Sequence, residues 1–251
     1  MGTLLDDGRF QVLENLISDP GYTASVCINV ENRNNYKPLI FNIYSDPEYI
    51  GELLPIFYGI SPETCAGFHG VMPGNRCIMA FFDYNRGVPL TEHLKKLPKN
   101  DYPARAQIAG SLLEAALFLD MLPPVFAVSA LEEPNTVYDK KENAVRFNFI
   151  IKPQTKPSEK EKWELFTPYL ENTFVKSRYL PEKAARFLEQ TLGSETYKFV
   201  PTCAAWRQIS AEAMEEYEKY LSESIFGYLK RILTKKADKK KKQVKEKFVK
   251  E

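Results

Sequence analysis

The chain has 251 residues, enough for one large domain or two smaller units around a real core. Its 44% hydrophobic content, with 16 Phe and 14 Tyr, is that of an ordinary globular protein and excludes a disordered or collagen-like chain. The formal charge of +1 is unevenly spread. Residues 235–251 carry nine Lys against Asp238, Glu246 and Glu251, a net of +6, so the first 234 residues sum to −5.

In chain order, the stretch from Arg9 to about Arg86 predicts strands. Tyr22, Ala24, Val26, Ile28 and Val30 alternate with polar neighbours, a period-two pattern with one face on a core. RFQVLENLI pairs with it through the turn Ser18 to Gly21. ENRNNYKP predicts the next turn and Leu39 to Tyr44 the third strand. SDPEYIGELLPIF predicts a short helix, with Asp46 as N-cap and Pro47 in the first turn. AGFHGVM and RCIMAFFDY, turning at Pro73 to Asn75, complete five strands with one helix between the third and fourth.

Beyond this point the composition turns helical. GVPLTEHLKKL predicts a helix, and so does DYPARAQIAGSLLEAALFLDML, in which Ile108, Leu112, Ala116 and Leu119 form an apolar stripe. VSALEEPNTVYD (Val128 to Asp139) predicts a loop running into a β ribbon that turns at Lys140 to Asn143. Ser158 and Glu161 have capping-box spacing and predict another helix start. The last helix is predicted from near Ser210, with Met214, Tyr217, Leu221, Ile225, Tyr228 and Ile232 as its buried stripe. Trp163 and Trp206 are expected in the core. Cys27, Cys65, Cys77 and Cys203 lack metal-ligand spacing and are expected as buried thiols.

This order of elements resembles that of protein kinases, and specific residues carry the resemblance. IMAFFDYNRGVPLTEHL is similar to the kinase hinge, with Asp83 and Tyr84 as the acidic–aromatic pair, followed by Gly87 and Leu90. Leu131 and Asn135 fall where the family's catalytic loop has Leu and Asn, and Asn148-Phe149-Ile150 falls where it has Asp-Phe-Gly. The match covers roughly residues 9–152.

The resemblance implies an α+β, two-lobed fold: a five-stranded antiparallel N-lobe with one helix (1–86) and a shortened, mainly helical C-lobe (87–234), followed by a basic segment (235–251). It also implies that the chemistry is gone. Kinases need a strand Lys, a helix Glu that pairs with it, a proton-accepting Asp and a metal-binding Asp. Those positions hold Asn42, Glu52, Ala130 and Asn148, leaving Asn135 alone as a remnant ligand. Vestigial pocket positions are expected at Asn42, Glu52, Asn135 and Asn148, with no catalytic residue, no metal and no bound ATP or Mg²⁺.

Each position also has a plainer reading. Asn42 reads as a half-buried strand residue bonded locally, Asn135 as a loop staple, and Glu132 and Glu133 as solvated loop charges. His69 and His93 show no orienting partner. The expected function is an inactive pseudokinase module that binds a protein partner. A phosphotransferase using Lys37 for phosphate and Glu132 as base is the enzymatic alternative, and an unrelated α+β interaction domain is a third. The Lys-rich stretch 235–250 is either a solvated tail or a segment against an anionic membrane surface, with the folded part on the cytoplasmic side. Without aromatics interleaved among basic residues, no nucleic-acid partner is expected.

Overall fold

A computed structural model describes residues 4–5, 8–31, 37–61, 63–153, 157–174 and 179–223, with Gly227. The Lys-rich stretch, the centre of the ENRNNYKP turn and Ile225, Tyr228 and Ile232 lie outside the described residues.

The first part is an antiparallel sheet in the order β1-β2-β3-β4-β6-β5. Its five long strands are β2 (Phe10–Asp19), β3 (Tyr22–Asn29), β4 (Leu39–Tyr44), β5 (Phe68–Gly74) and β6 (Cys77–Asp83), the five stretches expected as strands. A two-residue strand, β1 (Leu4–Leu5), adds an edge that the sequence did not signal. The β2–β3 turn needs Gly21, whose φ is +77°; a Cβ there would stand 2.7 Å from that of Asp46. The β5–β6 turn sits at Asn75–Arg76, slightly later than the Pro-Gly pair suggests, and Arg76 takes up a φ of 58°.

Helix α1 (Pro47–Tyr58) starts as expected, the Asp46 carboxylate accepting from the Glu48 N–H at 2.8 Å. The sheet has two apolar faces. Phe10, Cys27 and Phe41 pack on one side, while Tyr22, Ala24, Ile40 and Tyr44 join the main core with α1 and the helices that follow.

Those helices are α2 (Leu90–Lys96), α3 (Tyr102–Ala116), α4 (Pro124–Leu131), α5 (Glu159–Phe174), α6 (Glu182–Leu192) and α7 (Phe199–Ser222). A small sheet joins β7 (Val88–Pro89), β8 (Thr136–Asp139) and β9 (Ala144–Phe147). The α3 stripe is buried, as are Trp163 and Trp206. The capping box of α5 is reciprocal: the Glu161 N–H donates to Ser158 Oγ and the Ser158 N–H to a Glu161 carboxylate oxygen.

Several expectations need correction. Val128 to Leu131 is not loop but the second half of α4, because Pro123 and Pro124 set a helix start and seven of its eight residues are buried. Helix α7 begins eleven residues before Ser210: Phe199, Thr202, Cys203 and Trp206 already form its buried face. Leu221, expected in that face, is 63% exposed. Cys27, Cys65 and Cys203 are buried free thiols, but Cys77 is only half-buried. Burial pushes the Cys27 thiol up to about 12 and that of Cys65 to about 11.

Candidate functional site

The period of β4 places Ile40, Asn42 and Tyr44 on one face, the face that meets the helices. Asn42 is not half-buried and locally bonded, as its strand context suggests. It is fully buried, and its partners lie 20 and more than a hundred residues away. Its Nδ2 donates to the Phe149 carbonyl at 2.8 Å, and its Oδ1 accepts from the Ile151 N–H at 2.8 Å and the Tyr22 hydroxyl at 2.9 Å. The Tyr44 hydroxyl donates to the Ile151 carbonyl at 2.7 Å. The segment after β9 is thus bound to the sheet through its backbone, at both the N–H and the C=O of Ile151. Only a side-chain amide supplies the donor and acceptor this arrangement uses at position 42.

The same segment is fixed from the other side. The Asn148 N–H donates to the Asn135 carbonyl at 2.8 Å, and Asn135 Nδ2 donates to the carbonyls of Ser129 and Ile150. Asn148 and Asn85 form a reciprocal pair: the Asn85 N–H donates to Asn148 Oδ1 at 2.8 Å, and Asn148 Nδ2 donates to the Asn85 carbonyl at 3.2 Å. Asn85 Nδ2 reaches the Phe147 carbonyl at 2.8 Å. Between these bonds the Phe149 ring packs 5.2 Å from Phe82 of the sheet, 6.1 Å from Phe118 and 6.4 Å from Phe126 of α4. Asn42, Asn135 and Asn148, singled out from three separate stretches, therefore meet on one segment, joined by Asn85, which the sequence did not flag.

Asn135 Oδ1 is buried with no hydrogen-bond partner among the described residues, the one unsatisfied amide oxygen of the Asn42, Asn135 and Asn148 group. Asn148 Oδ1 is already taken by the Asn85 N–H. Hard divalent cations favour carboxylates, so this amide set does not fit Mg²⁺. Among the described residues no group of three or more His, Cys, Asp and Glu is placed to hold a metal.

The other predicted positions fall outside the cluster. Glu52 is exposed on α1, whose buried face is Leu53 and Phe57, so it points away from the segment. Ala130 is fully buried within α4, leaving no space for a reacting group. Asp83, at the end of β6, is bound by Lys37 Nζ at 2.6 Å and His69 Nε2 at 2.7 Å, so His69 does have a partner. Partial burial works against the Asp83 carboxylate, but Lys37 and His69 together hold it below the usual range. Tyr84 donates its N–H to the Pro38 carbonyl at 3.2 Å, and its side chain is half-buried. His93 stacks on Tyr138 at 4.0 Å, with its pKa lowered by burial and then by Lys140 and Lys96. Gly87 has a packing reason: a Cβ there would stand 2.8 Å from the Tyr138 carbonyl oxygen.

Near the sheet end of the segment the charge is negative. The Tyr22 hydroxyl is pushed upward by burial and then by the carboxylates of Asp19 and Glu132. Among the described residues no helix is long and apolar enough to cross a membrane. Comparison with protein-family models returned no match, and neither did comparison with curated proteins.

Proposed function

We propose that this chain is a catalytically inactive, protein-kinase-like domain that serves as a protein-binding scaffold, carried at an anionic membrane surface by its Lys-rich stretch. One observation carries the reading. The Asn148–Ile151 segment is hydrogen-bonded to Asn42 and Tyr44 of the sheet and packed through Phe149 against Phe82, and on the kinase-like reading this filling stands where nucleotide would otherwise lie between the lobes. The residues at the three key positions serve this filling: Asn42 and Asn148 bond backbone, and Ala130 lies inside a helix. Asp19 and Glu132 add negative charge beside Tyr22, which opposes a triphosphate.

The rival phosphotransferase draws no support from Lys37, whose ammonium is engaged by Asp83. Thermal unfolding with and without ATP and Mg²⁺ tests the proposal. The expected result is an unchanged midpoint. A rise of several degrees that needs the metal would overturn the filled-cleft reading.

A further inference from the structure

Beside the connector between sheet and helices a cavity of about 620 Å³ opens, lined on one side by Asn85, Phe147 and Phe149 of the amide contacts. Its volume is in the usual range for ligand sites. The half-buried Phe118 and Met121, 65% exposed, give its lining the apolar surface a ligand can reach. The Phe118 ring lies 6.2 Å from that of Phe147 and 6.1 Å from that of Phe149, both buried behind it.

Five carboxylates stand around this surface, Glu63, Asp83, Glu114, Asp139 and Glu142, against two cations, Lys37 and Arg146. Both cations are already neutralised, Lys37 by Asp83 and Arg146 by Glu142. Glu114 pairs with Arg207, both side chains about 60% exposed, and an incoming cation readily exchanges with so solvated a pair. Glu63 and Asp139 have no ion pair among the described residues; Asp139 only accepts backbone N–H groups of the following turn. The lining therefore has the accessible Phe118 ring beside Met121, an excess of negative charge and two carboxylates with no ion pair among the described residues.

We propose that this cavity receives an arginine side chain, with a neighbouring apolar residue, from an extended segment of a partner protein. Charge complementarity excludes phosphates and nucleic acid. A guanidinium suits the lining better than an ammonium, because its plane stacks on the Phe118 ring while its fork engages a carboxylate. The chain's own residues 235–251 contain Lys but no Arg and are not the intended occupant. This inference rests on the scaffold reading only for the expectation of a protein partner.

The test is fluorescence polarisation at low salt, using the full chain and labelled peptides of sequence Gly-Phe-Arg-Arg-Phe-Gly, with Lys and Glu in place of Arg as comparisons. The Arg peptide is expected to bind, the Lys peptide several-fold more weakly, and the Glu peptide not at all. Glu63→Gln, which removes an exposed carboxylate with no ion pair among the described residues, is expected to weaken the Arg peptide about fivefold. Glu63→Gln combined with Asp139→Asn is expected to weaken it about tenfold, or ~1.4 kcal/mol. Glu218→Gln, on the far end of α7, is the control and leaves affinity unchanged. The proposal is overturned if the Arg peptide does not bind, if Lys or Glu peptides or one spanning 235–251 bind as tightly, or if Glu218→Gln weakens binding as much as Glu63→Gln. ATP binding with Mg²⁺ would overturn the filled-cleft reading and leave this result standing.

Discussion

The contact between sheet and helices is closed by neutral amides, whereas the contact between α5 and the start of α7 is closed by charge. In the second, Lys162 is wholly buried, with its ammonium 3.0 Å from Asp120 and 2.8 Å from Glu159 and lying over the Phe199 ring. Asp120 also accepts the N–H groups of Phe199 and Val200, at 2.8 and 3.2 Å, and so caps α7 from a distant part of the chain. Both contacts bury polar groups and satisfy most of them. They differ in what a change of one group leaves behind: an amide leaves unmet hydrogen bonds, a charge leaves an uncompensated ion.

The sharpest way to break that contrast is to put a charge into the amide contact. Asn42→Lys, the residue the proposed kinase likeness would call for, buries an ammonium in a fully buried position and removes the acceptor for Ile151 and Tyr22. It is expected to cost more than about 4 kcal/mol and to abolish cooperative unfolding, read by circular dichroism on heating. Recovery of a stable fold that binds ATP would show the segment to be displaceable. Next in size, Asp120→Ala leaves the buried Lys162 with only the half-exposed Glu159 as counter-ion and uncaps α7, for about 3 kcal/mol in urea denaturation. Asp120→Asn with Lys162→Met keeps an acceptor for Phe199 and removes the ion, and should recover most of that loss. If the double variant is as unstable as Asp120→Ala, packing rather than charge holds this contact.

Asn85→Ala removes the Nδ2 bond to the Phe147 carbonyl from a half-buried position but keeps both backbone bonds to Asn148, and should cost about 1 kcal/mol, measured the same way. Its loss should be the same at pH 7 and pH 4, since amides do not titrate. The smallest effects separate the two contacts by pH. Although partial burial opposes it, Lys162 and then Lys198 hold the Glu159 carboxylate below its ordinary value. A carboxylate with a depressed folded pKa contributes stability that is full above its unfolded pKa, about 4.3 for Glu, and is lost as pH falls through the folded value. Glu159→Gln should therefore differ from the parent in melting temperature at pH 7 and converge with it near pH 3. Asp83→Asn should behave likewise, by at most about 1 kcal/mol, since Lys37 is more than half exposed.

The sequence made the charged contact harder to read than the sheet. The caps at Asp46 and Ser158 are local signals and stood where they pointed, and alternation located the strand Tyr22–Asn29 but not its second buried face, where Ser25 and Cys27 are buried. Lys162 gave none, because a Lys in a helix reads as solvent-facing until its distant partner is known. Asn42 was noticed, but its burial depends on a segment more than a hundred residues away. Helix α4 escaped because its uniformly apolar face has no period to detect. The early part of α7 did carry a signal, the 3–4 spacing of Phe199, Thr202, Cys203 and Trp206.

The three asparagines also bear on how mutational maps of such a domain are read. A scan scored only by cellular abundance would mark Asn42, Asn135 and Asn148 as intolerant as Phe41 or Phe166, since all five are buried. An observer given those scores alone would see three polar, clustered, irreplaceable positions and infer a reaction centre. The hydrogen bonds that clasp this segment are by themselves enough to give the same pattern, and only a scan that scores binding and abundance separately tells the two apart.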